Sequence, residues 1–104
     1  MARAFDRFRV IDADTHVSEP EDLWTSRVSS KWGDLVPHVV PDPNGGPKEY
    51  WAIGDVYLAP TAVAAMAGFD GILPDHPATL RGAVPASYDP HARLEHMDAE
   101  SVYA

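Results

Sequence analysis

An α/β chain is predicted from three observations. Apolar side chains occur in both alternating sets over residues 8–13, the pattern of a strand buried on two faces, as in a parallel sheet. Residues 36–58 read as a small antiparallel meander, with an Asn-Gly turn and a Gly-Asp hairpin loop. Asp89-Pro90 opens the clearest helix, and Ser101–Ala104 after it reads as the start of a second strand.

In the first strand, Phe8, Val10 and Asp12 fall on one side and Arg9, Ile11 and Ala13 on the other. It runs into a polar cluster, Asp14-Thr15-His16. Ser18-Glu19-Pro20-Glu21 then has the form of a helix start. Ser18 can cap, Pro20 suits the first turn, and Glu21 stands three residues after Ser18 as in a capping box. Leu23 and Trp24 supply the apolar side of a helix about two turns long.

The meander begins with a strand over Val36–Val40, where Pro37 suits an edge position. In Asp42–Pro47, Asn44-Gly45 supplies positive φ and the prolines stop either strand. Glu49–Ile53 and Val56–Leu58 flank the two-residue loop Gly54-Asp55. Thr61–Ala67 is alanine-rich and predicts a short helix ending at Gly68. Residues 69–87 show no periodicity, and a loop of that length counts against a self-contained compact domain. In the last helix Asp89 caps, Pro90 takes the first position, and Leu94, Met97 and Ser101 lie on one side.

Composition bounds what the chain does. With 104 residues it is one small domain or part of a larger one. Eight Lys and Arg against 16 Asp and Glu leave a net charge of −8, which argues against nucleic acid and anionic membranes as partners. There is no cysteine, so a disulfide scaffold, a thiolate zinc finger and a cysteine nucleophile are all excluded. Residues 1–7 hold no apolar core of signal-peptide length, and no apolar run approaches the ~20 residues of a membrane helix, so a cytoplasmic setting is expected.

The feature that carries chemistry is Asp12-Ala13-Asp14-Thr15-His16. Alternate residues of a strand point the same way, so Asp12, Asp14 and His16 can share a face. A carboxylate and an imidazole two residues apart can both reach one cation, which would polarise a carbonyl or acidify a water. Two ligands do not close a zinc site, and either residue can instead cap a turn. Elsewhere the structural reading is the stronger one. His91 and Glu95 can meet on one helix face but read as solvated. His38 has no evident partner. Asp75-His76-Pro77 reads as a turn. Trp24, Trp32 and Trp51 read as core. Gly68–Gly71 lacks the strand–loop–helix context of a phosphate loop, and no nucleophile motif is present.

Two segments carry a resemblance. Val10–Trp24 (VIDADTHVSEPEDLW) resembles the opening of the amidohydrolase-related family, which includes metal-dependent aromatic-acid decarboxylases. Tyr88–Glu100 (YDPHARLEHMDAE) is similar to that family's R-L-x-x-M-D helix before its second barrel strand. The resemblance implies an N-terminal fragment of a (β/α)8 TIM-like barrel carrying a small antiparallel β insertion, in one partial domain. Residues 8–16 would be the first barrel strand and metal motif. Residues 17–88 would be the helix, meander and excursion, and 89–104 a helix and the start of the second strand.

It also implies a divalent metal, Zn²⁺ or Mn²⁺, with Asp14 and His16 as two ligands where many relatives carry His-x-His. Asp12 and Glu19 would have supporting roles. Ser101 stands where the family usually has glycine, in a left-handed exit from the helix. The remaining ligands would lie beyond Ala104. The implied activity of the whole enzyme is hydrolysis, hydration or non-oxidative decarboxylation of a small carboxylated substrate, with a homo-oligomer left open and the active site incomplete in this chain. The competing expectation is a non-catalytic truncated fragment or a small β-rich interaction module.

Overall fold

The computed structural model describes residues 7–104; residues 1–6, read above for a targeting segment, lie outside the described residues. Three antiparallel strands form its sheet: β1 (His38–Pro41), β2 (Glu49–Ile53) and β3 (Val56–Pro60), with β2 in the centre. Asp42 starts the first turn by accepting at Oδ1 from Asn44 N at 2.8 Å, and Gly45 follows at φ 75°. Gly54 takes φ 53° in the two-residue loop that pairs Ile53 with Val56. Such positive φ angles strain any residue with a Cβ, which is why glycine stands at both turns. The first strand begins at His38 rather than Val36. Between the pairs Trp51↔Ala59 and Ala52↔Tyr57 the register shifts by one residue, so Leu58 is the extra residue of a β-bulge.

The barrel fragment expected from residues 8–16 and 101–104 is not what the chain forms. Parallel pairing among the described residues is confined to one bridge, Val10↔Val102. Tyr103 N donates to Val10 O at 2.8 Å and Asp12 N to Ala104 O at 2.7 Å, and the pairing goes no further. Phe8 and Ile11 are 70% and 69% exposed, so neither face of this segment is buried. A parallel strand needs ordered neighbours and a covering layer on both faces. Here the only sheet among the described residues is antiparallel and built from residues 38–60.

Two expected helices also differ. Residues 21–27 form consecutive turns, with Ser26 N bonded to Asp22 O and Val28 N to Trp24 O, both at 2.9 Å. The capping box does not form: Ser18 is buried and its hydroxyl has no partner. Thr61–Ala67 forms turns instead of a helix. Its small side chains serve burial, with Ala62 fully buried and Ala65 8% exposed.

α1 (Pro90–Ala99) follows two short 3-10 turns, Leu80–Gly82 and Pro85–Ser87. Its cap is as read: Asp89 Oδ1 accepts from His91 N at 2.8 Å and from Ala92 N at 3.3 Å. The chain leaves α1 through Ser101 at φ 60°, the left-handed conformation that glycine adopts more easily.

Among the described residues the buried apolar side chains are Ala52, Ala62, Ala65, Leu80 and Ala83, and no large side chain is fully buried. Trp24 and Trp32, expected in the core, are 42% and 48% exposed. The accessible surface is 7602 Å², whereas a compact chain of this mass exposes about 5,700 Å². No helix among the described residues is long and apolar enough to cross a membrane.

Candidate functional site

The Asp12–His16 segment is shaped by local hydrogen bonds. Asp12 Oδ1 accepts from Asp14 N at 2.9 Å, closing an Asx turn. That bond bends the backbone here out of a strand, and Asp12, Asp14 and His16 border one hollow. The role of Asp12 is to shape the backbone that presents Asp14.

Asp14 and His16 do come together. Asp14 Oδ1 lies 3.3 Å from His16 Nε2. On the far side of the ring, His16 Nδ1 lies 2.9 Å from the carbonyl oxygen of Ala64. A carbonyl only accepts, so Nδ1 carries a hydrogen. In the neutral ring Nε2 therefore holds the lone pair, and that lone pair faces a carboxylate. A proton or a cation between two acceptors at this distance turns their contact from repulsive to attractive. The Ala64 carbonyl first, and Asp14 second, accordingly raise the His16 pKa above its ordinary value of 6.5. The pair is open to water, with side chains 62% and 97% exposed for His16 and Asp14.

The same geometry suits a metal edge. Two ligand bonds of about 2.0–2.2 Å at the tetrahedral angle place their donor atoms about 3.3–3.6 Å apart. A ligating histidine commonly donates its other ring N–H to a carbonyl, as His16 does to Ala64. A divalent ion thus fits this pair as two of its ligands. Among the described residues no group of three or more His, Cys, Asp or Glu side chains is arranged to hold a metal. The remaining donors would have to come from outside that set.

Long-range bonds position the motif. Arg93 on α1 donates from Nη2 to His16 O at 2.7 Å and from Nε to Ala86 O at 2.6 Å. Ser18 N donates to Ser87 O at 2.7 Å. Together they hold the segment after His16 against α1 and the turn before it. The result is a hollow of about 270 Å³ whose wall includes Asp14, His16, Ser87, Arg93 and His96. No protein-family model, curated protein or solved structure matches this chain.

The remaining histidines and carboxylates lie apart from this site. His38 Nδ1 bonds to Val36 O and His76 Nδ1 to Pro77 O, both local contacts. Asp75 N closes a turn onto Ile72 O. His91 and Glu95 are exposed on α1, and Glu19 is exposed beyond the motif. Sequence reading overlooked Arg93, His96, Ser87 and the Ala64 carbonyl as parts of the site. The three-residue spacing of Arg93 and His96 on a helix was a legible signal, because it places both on one face.

Proposed function

We infer that Asp14 and His16 are two ligands of a divalent metal, Zn²⁺ or Mn²⁺, in an amidohydrolase-related enzyme acting on a small carboxylated substrate. The reaction is a hydrolysis, hydration or non-oxidative decarboxylation, and the setting is the cytoplasm. The observation that carries the reading is the lone pair of His16 Nε2 facing Asp14 Oδ1 at 3.3 Å, with Nδ1 committed to Ala64 O. Bound there, a divalent ion supplies Lewis-acid polarisation of a substrate oxygen or acidification of a water. Ala64 fixes the His16 tautomer, Asp12 orients the backbone of Asp14, and Arg93 anchors the His16 main chain.

The test is calorimetric titration of the 104-residue chain with ZnCl₂ and MnCl₂, alongside Asp14→Ala and His16→Ala. Saturable one-to-one uptake, weakened at least about tenfold in each variant, is expected. Unchanged uptake in both variants would overturn the assignment.

A second reading, a non-catalytic β-rich interaction module, is favoured by the exposed apolar surface. Ile72 is 82% exposed, Leu73 64%, Leu58 55% and Val56 61%. Large apolar side chains left this exposed are candidates for cover by a partner. This reading predicts association detectable by light scattering at micromolar concentration and no saturable metal uptake.

A further inference from the structure

Arg93 lines the hollow beside Asp14 and His16 and is half-buried. Its Nε and Nη2 bonds go to two main-chain carbonyls, Ala86 O and His16 O, which do not neutralise it. Neither ion pair among the described residues, His16–Asp14 or Arg81–Glu21, involves Arg93. Nη1 makes no hydrogen bond among the described residues, so the guanidinium keeps donors to offer a carboxylate. One turn along α1, His96 lines the same hollow, and its imidazole makes no hydrogen bond among the described residues. Ser87 is 4% exposed in the wall, and its hydroxyl is buried with no partner. A buried hydroxyl left unpaired costs free energy that a ligand oxygen can recover.

We propose that Arg93 and His96 form a subsite for the carboxylate of a small organic acid, with Ser87 in its wall. The proposal rests on the cation site inferred for Asp14 and His16, and it assigns the groups that hold the substrate's acid end. Asp12 and Asp14 line the same hollow and oppose an anion. A divalent cation on Asp14 and His16 offsets that charge, so cation and carboxylate bind with mutual support. Arg93 links the two subsites directly, because its guanidinium also holds the His16 carbonyl.

The experiment titrates benzoate into the full chain with and without saturating Zn²⁺, by calorimetry, for wild type, Arg93→Met and His96→Ala. His96→Ala removes no hydrogen bond of the fold, so it remains interpretable if Arg93→Met fails to fold. Benzoate is expected to bind more tightly with Zn²⁺ present. Its affinity should fall at least about tenfold in Arg93→Met and about threefold in His96→Ala, with Zn²⁺ uptake by His96→Ala unchanged. Zn²⁺ uptake without benzoate binding, or equal benzoate affinity in wild type and His96→Ala, overturns the subsite and leaves the metal reading standing. Benzoate binding that depends on His96 in a chain that takes up no Zn²⁺ overturns the metal reading and leaves the subsite standing.

Discussion

Arg93 Nη2 donates to the carbonyl of His16 at 2.7 Å, tying the last helix to a motif 77 residues earlier in the chain. The same guanidinium reaches Ala86 O through Nε. One side chain thus sets the distance between α1 and the Asp14–His16 pair.

His16 should titrate above its ordinary value, because the Ala64 carbonyl and then Asp14 favour the imidazolium. A histidine pKa raised by folding adds stability that is fully present below the unfolded value and is lost as pH rises through the folded value. Asp14→Ala should lower the His16 pKa only part of the way, since the larger cause, the Ala64 carbonyl, remains. Proton NMR of the His16 ring across about pH 5 to 9 measures this. A His16 pKa identical in wild type and Asp14→Ala would show that the two side chains do not interact in solution.

A Zn²⁺ ion bound as proposed at Asp14 and His16 would compete with the proton that His16 Nε2 takes up in the imidazolium. Its affinity should therefore rise with pH through the His16 titration and level off above it, with proton release approaching one per ion below that titration and falling to none above it. Calorimetry in buffers of different ionisation enthalpy counts that proton. Affinity that stays flat from about pH 6 to about pH 8 would place the ion elsewhere.

Asp89→Ala removes the side chain that accepts from His91 N and Ala92 N at the start of α1. The expected loss is about 1 kcal/mol of unfolding free energy, read from urea denaturation. A change below a few tenths would mean that water replaces the cap without penalty.

Ser101→Gly relieves a non-glycine residue at φ 60°. Stability should rise by about 1 kcal/mol, since glycine adopts the left-handed region without a Cβ clash. A fall in the thermal midpoint would show that the serine side chain contributes more than its backbone strain costs.

Much of the local structure is legible in the sequence. Asp89 caps α1, Asn44-Gly45 and Gly54-Asp55 turn the meander, and Asp14 and His16 meet, because each depends on residues within a few positions of one another. The left-handed exit at Ser101 was implied by the resemblance of the last helix, not by the local pattern, and Ser101 has φ 60°. Residues 8–13 misled because their alternation describes a strand ready for two covering layers. Whether those layers exist is not written in the strand, and Phe8 and Ile11 are exposed. Ser18 misled because a capping hydroxyl needs a helix to cap, and the turns after it leave that hydroxyl buried and unpaired.

The sequence by itself determined the turns, the cap and the Asp14–His16 pair, since backbone sterics and bonds spanning two or three residues decide them. Only the tertiary structure decided what that pair faces. The Ala64 carbonyl selects the His16 tautomer across 48 residues, and Arg93 and His96 arrive on the same hollow from α1. The tertiary structure also decided that the first segment pairs at one bridge, Val10↔Val102, while the sheet forms from residues 38–60. Contacts of that span depend on which surfaces pack together, and local pattern constrains packing only weakly.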